Sequence, residues 1–248
     1  ILVAMALATK EAAKKGLDPD FIVDMMFWTI PIGIIGARIY YVLFELDYYL
    51  QNPGEIIQVW NGGIAIYGAL IAGTLTIYWY TKRKGISFAL TMYILAPAVL
   101  IAQSIGRWGN FMNQEAHGEE VSRVFLENLF LPEFIIEQMN INGIYYHPTF
   151  LYESLWSLAG FVLILFLRRK EQLLRVGEVM FTYVMWYSFG RFFIEGMRTD
   201  SLYLFGPIRV SQALSILLFL GAMVYWAYRR RNNYPPDPYY TDISRKRV

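Results

Sequence analysis

Arg107, Asn110, Asn113 and Glu115 fall within nine residues at the polar end of a long apolar run. A guanidinium presents a planar fork of N–H donors that matches phosphate oxygens, and primary amides at i+3 and i+6 add neutral donors beside it. Gly106 and Gly109 let a ligand approach the backbone closely. Glu115 can pair with Arg107 or accept a proton. Tyr187, Arg191, Glu195 and Arg198 repeat these residue types at i, i+4, i+8 and i+11, one face of a helix. A charge within a membrane span costs at least ~2.5–3.5 kcal/mol at the bilayer centre, so it is usually paired or functional. An intrahelical Arg191–Glu195 pair satisfies both charges; a polar stripe facing an internal cavity also accounts for their presence in the span. Two further candidates are weaker. Tyr67 stands in the run Gly62-Gly63-Ile64-Ala65-Ile66-Tyr67-Gly68-Ala69, whose small residues serve close helix packing at least as well as a site. Arg38 either snorkels to the interface or joins the polar site.

These residues must be carried by membrane helices. The 248 residues are 56% hydrophobic and 17% charged, with a mean hydropathy of +0.34; soluble domains carry about 25% charge. Six stretches reach the ~20 apolar residues that a span requires: 21–44, 62–81, 86–106, 149–167, 179–197 and 208–228. Sixteen of the 22 Lys and Arg fall into four segments, at residues 10–15, 82–84, 168–175 and 229–247. The intervening segments are poor in basic residues; 45–61 holds Glu45, Asp47 and Glu55 but no Lys or Arg. The positive-inside rule makes the basic segments cytoplasmic. Ile1–Thr9 reads as the inner half of a further span whose outer half lies before Ile1. The expected fold is therefore all-α, a polytopic bundle of seven spans in the full protein, N-terminus outside and C-terminus cytoplasmic. One bundle domain covers 1–231, and 232–248 is an extended cytoplasmic tail. Arg38, Arg107, Asn110, Glu115, Arg191, Glu195 and Arg198 then all lie toward the outer face, where a phosphate-bearing lipid head group is the natural ligand.

Other chemistries are disfavoured. The chain has no cysteine, hence no disulfide or thiol nucleophile, and only His117 and His147, thirty residues apart, so a zinc centre is not expected. A net charge of +2 gives no reason to expect nucleic acid. The outer segment 107–148 is long for a connection. Its aliphatic and aromatic stretch 121–139, divided at Pro132, fits an amphipathic arm on the outer leaflet and a small packed cap equally well.

The run Gly106-Arg107-Trp108-Gly109-Asn110-Phe111-Met112-Asn113-Gln114-Glu115 closely resembles the signature of phosphatidylglycerol–prolipoprotein diacylglyceryl transferases. The glycine run at 62–68, His147-Pro148-Thr149-Phe150-Leu151-Tyr152-Glu153 and the stretch Tyr187–Arg198 extend the resemblance over about Gly16–Arg231. It implies a multi-pass enzyme of the bacterial plasma membrane, its active site toward the outer face. Its partners would be phosphatidylglycerol and a preprolipoprotein signal peptide. The enzyme would move the diacylglyceryl group onto the thiol of the lipobox cysteine and release glycerol phosphate. The family's essential arginines map onto Arg107 and Arg191, its asparagine onto Asn110, its acidic partners onto Glu115 and Glu195, and its tyrosine onto Tyr187. Asn113, Gly118, Arg198 and Arg38 complete the expected substrate-binding set; in the catalytic set, beside Arg107 and Arg191, Glu115 and Glu195 are the candidate bases for the thiol and Tyr67 orients the lipid or thiol. Many members carry His at the position of Tyr67, and some carry Asp at that of Tyr93. No metal or organic cofactor is called for. The alternative from another class is a lipid or anion transporter that binds phosphate head groups without chemistry.

Overall fold

Long apolar runs in which breakers are few form helices, and the computed structural model is mostly helical; it describes residues 1–18, 20–170, 173–199, 203–205 and 208–234. The helices are α1 (Leu2–Lys14), α2 (Phe21–Phe44), α3 (Leu46–Gln51), α4 (Ile66–Arg83), α5 (Phe88–Asn113), α6 (Arg123–Asn128), α7 (Glu133–Gln138), α8 (Thr149–Arg169), α9 (Glu178–Met197) and α10 (Val210–Arg231). Among the described residues, α2, α5, α8 and α10 are long and apolar enough to cross a membrane. The other two anticipated spans are helices as well, but with a polar load: α4 ends on Lys82 and Arg83, and α9 holds Glu178, Arg191 and Glu195. Of the tail, only Asn232–Tyr234 falls within the described residues.

The chain gathers into two compact units. In the unit Met5–Thr91, α2 packs along α4. Small residues set their separation: a Cβ on Gly68 would run into the Gly36 carbonyl and Tyr40, and one on Gly36 into Ala72 and the Gly68 carbonyl. Helix pairs of this kind associate through backbone proximity, because lipid offers no hydrophobic gain between apolar faces. Between α3 and α4 the chain folds back over α2. Arg38, 6% exposed, donates from Nε to the Ile56 carbonyl (2.8 Å), from Nη1 to those of Gly62 (2.8 Å) and Gly63 (2.6 Å), and from Nη2 to that of Glu55 (2.6 Å). Gly63 has φ +69°, and a Cβ there would meet Arg38 and Tyr41, so the turn requires glycine on both counts.

The second unit, Ile1–Ala4 with Met92–Val248, holds the rest of α5 and α8, α9 and α10. Helix α9 packs between α8 and α10. On α8 and α9, Trp156 and Trp186 stack at 4.2 Å between centroids, 11° from parallel. Each indole Nε1 donates to the other residue's carbonyl at 2.9 Å. Gly160 and Gly190 make the room: a Cβ on either would enter the opposing ring. Ser154 of α8 donates to the Ser104 carbonyl of α5 at 2.9 Å. At the opposite end Arg230 grips both oxygens of Glu178 at 2.9 and 2.8 Å.

Helix α5 runs on to Asn113, past the expected start of the outer segment at 107, and the rest of that segment, 114–148, is a packed cap. Strands β1 (Glu120–Val121), β2 (Asn140–Ile141) and β3 (Ile144–Tyr146) form an antiparallel sheet in the order β1-β3-β2. Asn142 (φ +54°) and Gly143 (φ +88°) make the two-residue turn between β2 and β3. Ser122 caps α6 by accepting from the Phe125 amide at 3.1 Å. Leu126 of α6, Ile135 and Ile136 of α7, and Met139 just beyond it form one core with Phe111 and Phe150, while Val124 and Phe134 are exposed. The segment 121–139 thus packs one side into a core and leaves Phe130, at the α6–α7 corner, 93% exposed on the other. A last strand pair, β4 (Tyr203–Phe205) with β5 (Ile208–Arg209), leads into α10.

Candidate active site

Three helices of the second unit converge on one carboxylate. Glu153, in the second turn of α8 and 4% exposed, has Oε1 2.5 Å from Nη2 of Arg107 on α5 and Oε2 3.1 Å from Nη1 of Arg191 on α9. The other Arg191 terminal nitrogen, Nη2, lies 2.5 Å from Oε2 of Glu195, one turn on and 3% exposed. The sequence reading gives Glu153 no role, although a signal was present. On α8 no basic residue stands three or four positions away, so a buried carboxylate there has to find its cation on another helix. The intrahelical Arg191–Glu195 pair expected from the spacing is present, as one side of a larger cluster.

Arg107 does not pair with Glu115. Its Nη1 donates instead to Asn110 Oδ1 (3.3 Å), Asn110 Nδ2 donates to Glu115 Oε1 (2.9 Å), and Asn113 Nδ2 reaches the same oxygen at 3.3 Å. The amides thus stand between guanidinium and carboxylate; Asn110 is half-buried, and Asn113 and Glu115 are exposed. The turn presenting Glu115 is strained: Gln114 and Ala116 both have left-handed backbone, φ +54° and +57°. Such positions in residues other than glycine cost about 1–3 kcal/mol each and cluster at functional sites. Hydrogen bonds hold the turn there. Gln114 Nε2 donates to the Gln138 carbonyl (2.8 Å), Gln138 Nε2 to that of Phe111 (3.1 Å), and Thr149 Oγ1 to that of Ala116 (2.6 Å).

Gly118 is a packing point. Its amide donates to the His147 carbonyl at 3.0 Å, its backbone bridges to Arg198, and a Cβ would strike His147 and the Met197 carbonyl. It therefore ties the cap to the end of α9, the segment that carries Arg191, Glu195 and Arg198. Tyr187 faces Arg107 and Glu153 from one turn below Arg191, and its ring lies 6.1 Å from that of Tyr183. The Tyr183 hydroxyl accepts from Gln103 Nε2 at 3.1 Å, which continues the polar line along α5 and α9. In the cap, burial lowers the His147 imidazole below its usual value, against a smaller opposing effect of Glu119.

The family model for prolipoprotein diacylglyceryl transferase matches residues 1–228. The chain belongs to the prolipoprotein diacylglyceryl transferase family. Curated members are similar at high identity. The phosphatidylglycerol–prolipoprotein diacylglyceryl transferase of Listeria welshimeri is 58% identical over 236 residues, 95% of this chain and 84% of that protein. Those of Listeria innocua and Lactobacillus gasseri are 57% and 54% identical, covering 95% and 93% of this chain and 84% and 83% of theirs. Within this prolipoprotein diacylglyceryl transferase chain, Arg107, Asn110, Asn113, Glu115, Gly118, Tyr187, Arg191, Glu195 and Arg198 all fall in the second unit, with Glu153 added. Arg38 and Tyr67 belong to the unit Met5–Thr91. There Arg38 is committed to the four carbonyls of the 55–63 loop. It also lines an open cavity of about 370 Å³ together with Tyr41, Glu45, Tyr48 and Glu55. Tyr67 sits half-buried in the first turn of α4, its ring 6.4 Å from that of Tyr40.

Proposed function

We propose that this chain transfers the diacylglyceryl group of phosphatidylglycerol to the thiol of a lipobox cysteine in a preprolipoprotein, the first step of bacterial lipoprotein maturation. The observation that carries the reading is the pair of arginines from α5 and α9 meeting on one buried carboxylate. Two guanidinium groups side by side offer donors to several oxygens of one phosphate. The reaction breaks a glyceryl carbon–oxygen bond as sulfur attacks that carbon, and negative charge grows on the departing phosphate. Arg107 and Arg191 hold that charge; in a water-poor site such donors count for more than in water. Tyr187 borders the same place, Arg198 follows at the end of α9, and Asn110, Asn113 and Glu115 offer amide and carboxylate groups to the glycerol hydroxyls of the head group. Gly118 keeps the cap close to α9. Tyr67 orients the lipid or the thiol by hydrogen bonding, and Arg38 holds the shape of the outer loop.

The same reading places the protein in the bacterial plasma membrane as one bundle over 1–231, with seven spans, the N-terminus outside and the basic tail inside. What supports this is the four long apolar helices, the two polar-faced ones and the alternation of basic segments. The test is release of glycerol phosphate from head-group-labelled phosphatidylglycerol by the purified chain. Release that requires a lipobox peptide establishes the transferase; binding of the lipid with no release returns the transporter reading.

A further inference from the structure

Arg107 and Arg191 account for the phosphate, but the thiol must also lose a proton. We propose that Glu153 carries that proton, taking it from the lipobox thiol and passing it to the departing phosphate. This rests on the transferase reading above. Among the described residues Glu153 is the carboxylate that contacts both guanidinium groups. A phosphate gripped by those groups therefore lies directly beside it. Its Oε1 lies 2.5 Å from Arg107 Nη2 without an aligned hydrogen bond, as Glu195 Oε2 does from Arg191, so what sets Glu153 apart is its contact with both guanidinium groups. The charges point the same way. Within the cluster Arg107, Arg191, Glu153 and Glu195 sum to zero, and the phosphodiester adds one negative charge. The proton taken from the thiol then turns the contact between two anions, carboxylate and phosphodiester, into a hydrogen bond.

The other candidates are placed less well. Glu195 is ion-paired to Arg191 on its own helix, and Glu115 is exposed and held by two amides. His147 lies in the cap, its Nδ1 3.3 Å from the Tyr152 hydroxyl. The step balances. The thiol S–H gives its proton to the Glu153 carboxylate, and sulfur forms the S–C bond to the glyceryl carbon. The C–O electron pair leaves with the phosphate. The phosphate monoester takes the proton from Glu153, which returns to the arginines as a carboxylate. Nothing is oxidised or reduced.

The test is the pH dependence of turnover in wild type, Glu153→Gln and Glu153→Asp. A free cysteine ionises near pH 8.5, so about 3% is thiolate at pH 7, and a proton acceptor there is worth up to about 30-fold. The expected result is a loss of about 30-fold in kcat for Glu153→Gln at pH 7, shrinking to about twofold or less at pH 9.5, where the thiol ionises unaided. KM for phosphatidylglycerol does not rise, and Glu153→Asp keeps the wild-type ratio between the two pH values. A Glu153→Gln defect equal at both pH values, a raised lipid KM with unchanged kcat, or no defect overturns the proposal. Glu153→Asn replaces Glu153→Gln if the latter does not insert; failure of both to fold makes Glu153 a structural counterion and overturns it too. Wild-type release of glycerol phosphate is the control. Its absence sinks the transferase reading, whereas release with a pH-independent variant defect sinks only the proton assignment.

Discussion

Replacing Arg191 with Lys keeps the charge and removes the fork, and the geometry sets the size of the effect. Arg191 reaches Glu153 with Nη1 at 3.1 Å and Glu195 with Nη2 at 2.5 Å, and both carboxylates are under 5% exposed. A lysine has one nitrogen on a flexible stem, so it satisfies one carboxylate well and leaves the other short. The substitution removes one charge-assisted hydrogen bond, about 1.5–3 kcal/mol. If that deficit falls on the transition state, turnover drops roughly 10- to 150-fold. Arg107→Lys belongs to the same class, because Arg107 spans Glu153 and Asn110. The assay is glycerol phosphate release at saturating lipobox peptide, with membrane insertion checked for each variant. Turnover within about threefold of wild type in both variants, less than 1 kcal/mol, would refute the argument that the forks hold the departing phosphate.

Gly160→Ala drives a methyl into the Trp186 indole and should cost about 1–3 kcal/mol, read as earlier thermal unfolding in detergent. Gly109→Ala, whose methyl meets open space, should not lower that midpoint. His147 is held neutral by burial, so below its usual pKa near 6.5 the unfolded cap binds more protons than the folded one. The cap keeps its full stability above that pH and loses it as pH falls further. Hydrogen exchange across 119–147, corrected for intrinsic rates, should quicken between pH 7 and 5, and unchanged protection would contradict this. Tyr67→Phe should slow turnover by roughly tenfold, the worth of one neutral hydrogen bond; complete loss with normal lipid binding would mean that the phenol moves protons. Single cysteines at the exposed Gln51 and Gln114 should react with an impermeant reagent from outside and one at Lys84 from inside, and the reverse pattern would overturn the topology. Met139, though on the outer side by sequence, is buried in the cap and should resist labelling.

What the sequence disclosed was governed by distance along the chain. Span length and hydropathy located all six long helices, with Phe21–Phe44 recovered to the residue. The Arg191–Glu195 pair follows from helical spacing alone. Glu153 was harder: its partners lie 46 and 38 positions away, on two other helices. Yet its isolation on α8 was itself a clue. The partners of Arg38 are carbonyls, and every residue offers one, so side-chain types say nothing about which chain segment supplies them. Arg107 and Glu115 invited pairing by charge, but the left-handed residues at 114 and 116 turn the chain so that amides intervene. The Asn142-Gly143 step between Ile141 and Ile144 was a legible hairpin signal, obscured by the helical look of the surrounding segment.

The indole stack between α8 and α9 bears on how this chain can diverge. Trp156, Trp186, Gly160 and Gly190 form one packing unit, since each glycine leaves room for the opposite ring and each ring donates to the other's backbone. Residues in such contact couple, so the effects of single changes do not add. Enlarging either glycine alone drives a side chain into an indole, and shrinking either indole alone leaves a void and a carbonyl without its donor. A lineage can leave this arrangement only by altering glycine and tryptophan together, and each intermediate would shift the helices that carry Glu153 and Arg191. The stack therefore acts as an evolutionary latch on the registration of the two helices.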